Sequence, residues 1–146
     1  MELEVKHLKH YLGHKLRILR PDNRTSLELV GIVGNLYVFN DDYCRESYGE
    51  IKSKLNKPIL HRLSSINKPI EVNGKAVVVL DLIRDTNHSF YFSAGYICEK
   101  CSDYSLQHQG YGTYPYWLIE ILAEHHIDFQ GLIPAGLAID INTLKQ

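Results

Sequence analysis

Ile70-Glu71-Val72-Asn73-Gly74-Lys75-Ala76-Val77-Val78-Val79-Leu80 reads as two β-prone runs on either side of an Asn-Gly pair. A two-residue hairpin turn of type I′ needs φ > 0 at both central positions, which Asn tolerates and Gly adopts freely. The stretch therefore predicts an antiparallel hairpin and, with it, a fold that contains antiparallel sheet. Toward the N-terminus, residues 27–33 and 36–39 bracket Gly34-Asn35 as a second hairpin. Residues 15–20 alternate with period two up to Pro21 and read as another strand. Residues 59–63 continue the strand pattern and 64–66 suggest a short helical turn. Tyr48, Ile51 and Leu55 are spaced for one or two helical turns before Pro58.

Helical signals flank this β-rich centre. Val5, Leu8, Tyr11 and Leu12 repeat at helical spacing over residues 3–12, and Gly13 is placed to end the helix. Thr113 offers an N-cap, Pro115 suits a first turn, and Leu118, Ile121, Leu122 and His125 mark one face of a helix over about 114–126. The apolar tail, residues 129–140, is expected to close the core. The expectation is an α+β domain in which a mainly antiparallel, twisted sheet or partly open barrel of roughly five to seven strands is covered by the N-terminal and C-terminal helices. All of residues 1–146 are read as a single domain, with an aromatic-rich insertion at 84–113.

Composition narrows the functional classes. At 146 residues, with 45% hydrophobic and 23% charged residues, the chain has the make-up of one ordinary globular domain that needs no disulfide or metal to fold. The first residues lack a basic and apolar leader, and no apolar run approaches the length of a membrane span, so no membrane association is expected. Three cysteines suit a reducing compartment, and the cytoplasm is the expected location. Net charge is −1, with basic residues concentrated in 1–24 and 45–68 and acidic ones in 25–44 and 115–146. A pI near 6.7 argues against duplex DNA as a partner.

Several stretches resemble a group of uncharacterised bacteriophage and prophage proteins of gut bacteria. They are Leu8-Lys9-His10-Tyr11-Leu12, Lys57-Pro58-Ile59-Leu60-His61-Arg62-Leu63-Ser64, Glu71-Val72-Asn73-Gly74 and the ending from His126 through Gly131-Leu132-Ile133-Pro134-Ala135-Gly136-Leu137-Ala138-Ile139-Asp140-Ile141-Asn142-Thr143-Leu144. The likeness covers most of the length apart from 84–112. It implies a viral or mobile-element origin and carries no activity and no functional residue with it.

Residue patterns for catalysis or metal binding are sparse. Cys98-Glu99-Lys100-Cys101 has half the spacing of a zinc site, but neither a second CxxC nor an HxxxH completes four ligands, so Cys98 and Cys101 read as reduced thiols and no metal is expected. His125-His126-x-Asp128 could present a base oriented by a carboxylate, yet its place on an apolar helical stripe favours a core-edge histidine with a hydrogen-bond partner. Asp41-Asp42 read as a turn, and Glu120 with Glu124 as a solvated helix face. There is no nucleophile elbow, HExxH or phosphate loop, and no cofactor is implied.

The aromatic residues are unevenly distributed. Phe90, Tyr91, Phe92, Tyr96, Tyr104, Tyr111, Tyr114, Tyr116 and Trp117 crowd into one segment. About half of them are accounted for if Phe90, Phe92 and Ala94 face a core while Tyr91 and Tyr96 line a surface. Tyrosine gives large contact area at small entropic cost, and aromatic faces stack planar ligands. The candidate binding residues are therefore Arg84, Tyr91, Tyr96, Lys100, Tyr104 and Tyr111. The function expected is a non-enzymatic phage-type accessory binding protein whose target is a host protein or a small signalling ligand. The alternatives are a nucleotide-sequestering protein and, third, a hydrolase such as a phosphodiesterase; homo-oligomerisation is left open.

Overall fold

The computed structural model describes residues 2–20, 25–40, 46–51, 56–93, 96–100, 105–108 and 114–144; the side chains at 40, 46–47, 91, 93, 96, 98–100 and 105–108 are not among the described ones. Helix α1 (Val5–Leu8) runs into a 3-10 turn (Lys9–Tyr11), followed by strands β1 (Arg17–Leu19), β2 (Ser26–Val33), β3 (Leu36–Asn40), β4 (Glu46–Glu50) and β5 (Lys57–Arg62). A second 3-10 turn (Leu63–Asn67) leads to β6 (Ile70–Val72), β7 (Lys75–Val77) and helix α2 (Val79–Thr86). Strands β8 (Phe90–Ser93), β9 (Tyr96–Lys100) and β10 (Ser105–His108) precede helix α3 (Tyr116–Glu124). The chain continues through β11 (Ile127–Asp128), β12 (Ile139–Asp140) and α4 (Ile141–Leu144). The fold is mixed α+β with mostly antiparallel sheet, and the chain divides into two compact units, residues 1–61 with 131–146 and residues 62–130.

In the first unit, α1 starts with a capping box in which Glu4 caps the helix and the Glu4 amide donates to His7 Nδ1 at 2.9 Å. Leu8 and Tyr11 are buried as their spacing predicts, but Leu12 leaves the helical turn in extended conformation and is exposed. Gly13, at φ 84°, ends the element. The sheet runs in the order β5-β1-β2-β3-β4, all antiparallel, with β12 added parallel to β5. Three strand steps would separate β1 from β4 by about 14 Å in a flat sheet. A Cβ on Gly49 in β4 would nevertheless lie 2.7 Å from Nη1 of Arg20, immediately after β1, so the sheet is curved enough for this long side chain to reach β4. No ladder joins β4 to β5 among the described residues, and the sheet stays open.

Strand β4 corrects the expectation of helical turns before Pro58. Residues 46–50 pair with β3 from Asn40↔Glu46 to Leu36↔Glu50. In an extended strand Tyr48 and Gly49 face opposite sides, and Tyr48 is half exposed while Gly49 admits the Arg20 guanidinium. The spacing of Tyr48 and Ile51 was a chance match to helical period, and Leu55 lies outside the described residues. The apolar tail does enter the core: Leu132 and Ala138 are buried and Ile139–Asp140 pairs with Ile59–Leu60.

The second unit contains the predicted Asn-Gly hairpin, with Asn73 at φ 52° and Gly74 at φ 80° between Val72 and Lys75. Its second strand stops at Val77, three residues early, because residues 79–86 form α2. Val79 and Ile83, four apart, are both fully buried, so packing of this stripe overrides the β preference of the Val-Val-Val run. Asp81 in the first turn and Arg84 in the last complement the helix dipole. Helix α3 starts at Tyr116 with Pro115 at its N-cap position, just ahead of the first turn expected for it and without a side-chain cap, and Leu118, Leu122 and Ala123 are buried; Thr113, the expected cap, lies outside the described residues.

A β-branched residue at position 74 has no room in φ space, though nothing lies within 4 Å of a Cβ there. Gly74→Val is therefore expected to cost about 1–3 kcal/mol of backbone strain and to lower the melting temperature. An unchanged melting temperature, measured by circular dichroism, would contradict the left-handed turn.

Candidate functional site

Strands β8, β9 and β10 form a three-stranded antiparallel meander, and its register sorts the aromatic segment into two faces. Phe92 pairs with Ile97, Phe90 with Glu99, and Tyr91 with Cys98. Directly paired residues share a face and neighbours alternate, so Phe90, Phe92, Ile97 and the positions of Glu99, Leu106 and His108 lie on one side. Phe90 and Ile97 are buried and Phe92 is half-buried. The Phe90 ring meets Trp117 of α3 edge-on, with centroids 5.1 Å apart at 84°, a favourable geometry for two aromatic quadrupoles. Tyr114, just before α3, is buried as well.

The opposite side of the meander carries the backbone positions of Tyr91, Ser93, Tyr96, Cys98, Lys100, Ser105 and Gln107. Three of the six candidate binding residues, Tyr91, Tyr96 and Lys100, are thus brought to one sheet face. Arg84 is not among them: it is exposed on α2, a separate element. Tyr104, Tyr111 and Ala94 lie outside the described residues. Residues 84–113 are also more regular than their sequence suggests, holding the end of α2 and all three strands of the meander.

His125 is half-buried at the end of α3, with Nδ1 2.8 Å from the Ile121 carbonyl, the hydrogen-bonded core-edge histidine expected from its stripe. Asp128 is buried in β11. Glu120 and Glu124 are exposed; a hydrogen bond to the Glu120 carboxylate, with its charge, raises the Tyr116 phenol above its ordinary pKa. Asp41 and Asp42 lie outside the described residues, as does Cys101. Among the described residues no three His, Cys, Asp or Glu side chains are grouped to hold a metal ion. Protein prepared without added metal is expected to contain no stoichiometric zinc by elemental analysis. One zinc per chain, lost together in a Cys98→Ser, Cys101→Ser variant, would contradict that reading.

A polar cluster on the curled sheet of the first unit was not visible in the sequence. Arg20 Nη1 donates to Asn56 Oδ1 at 3.1 Å, and the guanidinium carbon lies 4.9 Å above the Phe39 ring centroid. Asn56 is buried and its Nδ2 donates to the Glu50 carbonyl at 3.4 Å. Tyr37, two residues before Phe39 and ladder partner of Gly49, is fully buried with its ring 5.6 Å from Phe39. Its hydroxyl is the buried side-chain polar atom left without a partner among the described residues, and burial raises its pKa well above the ordinary tyrosine value. Period-two reading of β3 puts Tyr37 and Phe39 on one face; nothing local in the sequence joins residues 20, 49 and 56.

A separate concavity of about 240 Å³ is lined by Leu3, Glu4, Val5, Lys6, Asn35 and Ile51. Its charged side chains pair with each other, Lys6 Nζ lying 3.2 Å from Glu4 Oε2. No helix among the described residues is long and apolar enough to cross a membrane. No protein-family model, curated protein or solved structure matches this chain.

Proposed function

We propose that this chain is a non-enzymatic binding protein that offers the outer face of the β8–β10 meander, with Tyr91, Tyr96 and Lys100, to a protein partner. The observation that supports this is the two-faced register. One side carries Phe90, Phe92 and Ile97, with Phe90 packed on Trp117, beside the positions of Glu99, Leu106 and His108, and the other carries the positions of Tyr, Ser, Cys, Lys and Gln residues. Three strands of four to five residues give a twisted surface of about 10 by 15 Å, the size of the central patch of a protein interface of about 800 Å² per partner rather than the whole of it. Tyrosines on a rigid strand lose little entropy on binding, and the lysine adds steering of an acidic partner. In keeping with the resemblance in its sequence, we place the protein in the cytoplasm of a bacterium, as a phage or prophage accessory factor whose partner is a host protein.

Capture from a bacterial lysate tests this reading, using immobilised wild type beside Tyr91→Ala/Tyr96→Ala and Lys100→Glu, with bound proteins identified by mass spectrometry. The expected result is one protein retained near stoichiometry by wild type and lost from both folded variants. Equal retention by all three, or none by wild type, would count against it.

A further inference from the structure

The Arg20 cluster belongs to the first unit and is independent of the tyrosine face. Its residues leave a half-buried cation short of a counter-charge. A guanidinium carries five N–H donors in a planar fork, and here one goes to the neutral carboxamide of Asn56. Among the described residues no carboxylate pairs with it. Desolvating a guanidinium against only an amide and an aromatic ring is costly if its sole task is to fill space, because a methionine would pack over Phe39 without that cost.

The surroundings are also built to hold the group in place. Phe39 supports the planar face of the guanidinium, and Asn56, fixed by its bond to the Glu50 carbonyl, orients one edge. Position 49 must be glycine for the fork to lie where it does: a Cβ there would come within 2.7 Å of Arg20 Nη1, 3.2 Å of Asn56 Nδ2 and 3.2 Å of Phe39 Cε2. Tyr37, on the same face, adds a buried hydroxyl without a partner among the described residues. A cation oriented by a ring and an amide, with most of its donors uncommitted, matches the recognition of a planar or tetrahedral oxyanion through paired N–H bonds.

We propose that Arg20, oriented by Asn56 and Phe39, is the binding site for an oxyanion group, a phosphate or a carboxylate, on a small ligand. Nuclear magnetic resonance titration tests it with inorganic phosphate and with acetate as separate probes, ionic strength being held constant with chloride. The Arg20 Nε–H and Asn56 side-chain amide signals are expected to shift saturably with at least one probe, and the probe that binds tells phosphate from carboxylate. Arg20→Met, which keeps the stem over Phe39, is expected to abolish the shift at the Asn56 amide. Gly49→Ala keeps the charge and displaces the fork, so it is expected to weaken binding about tenfold, which serves as the test should Arg20→Met fail to fold. Absence of saturable shifts with both probes, or wild-type affinity in a folded variant of either kind, overturns the site.

Discussion

Phe90→Ala is expected to destabilise the protein by about 3–5 kcal/mol and to lower its melting temperature by on the order of 10–20 °C. Phe90 is 2% exposed, and its ring is one half of the edge-on pair with Trp117 that anchors β8 to α3. Truncation removes both the buried area and the aromatic contact and leaves a cavity whose walls are strand and helix, which relax only in part. Calorimetry or thermal circular dichroism reads the loss directly. A shift of less than about 3 °C would mean that the apolar side of the meander is not packed as described.

Leu60→Asp should be more damaging still, and we expect it to prevent the first unit from folding. Leu60 is fully buried in β5, which pairs with both β1 and β12, and its ladder partner on β12 is Asp140, itself 8% exposed. The substitution places a second carboxylate in an apolar strand beside a buried one. Desolvation and like-charge repulsion both push the new group toward its neutral form, so its folded pKa lies above the unfolded value near 4. With a raised folded pKa, the penalty is smallest below the unfolded pKa and grows as pH rises through and above it. At neutral pH the cost is several kcal/mol, a large part of the stability of a domain this size. Loss of dispersed amide resonances from residues 2–61 is the expected observation, and a native-like spectrum at pH 7 would contradict the placement of β5.

Local chemistry made some of these elements legible and left others hidden. Asn73-Gly74 dictated its hairpin through positive φ at both residues, and Gly34-Asn35 marked the β2–β3 turn through positive φ at Gly34 only. The stripe of Leu118, Ile121, Leu122 and His125 revealed α3, with Leu118 and Leu122 buried and Ile121 and His125 half-buried at its edge. Helix α2 was hidden because Val77-Val78-Val79 carries β preference, while its helical stripe, Val79 and Ile83, becomes decisive only when both find partners. Strand β4 was hidden because Gly49 and Ser47 interrupt the apolar alternation, and Gly49 packs against a guanidinium from the residue that follows β1. The tyrosine face was half legible: Phe90 and Phe92 alternate with Tyr91 in the sequence, but pairing with β9 and β10 was needed to bring Tyr96 and Lys100 to the same side. The Arg20 cluster joins residues far apart in the chain, and no local pattern announces it.

Separation of the aromatic segment into a packed side and a displayed side is the central claim, and the melting temperature of Tyr91→Ala/Tyr96→Ala, set beside that of Phe90→Ala, tests it most directly. Displayed tyrosines cost under about 0.5 kcal/mol each to truncate, so the double variant should melt within about 5 °C of wild type while Phe90→Ala melts far lower. A double variant destabilised as much as Phe90→Ala would show that both sides of the meander are core, and would remove the binding surface from the account.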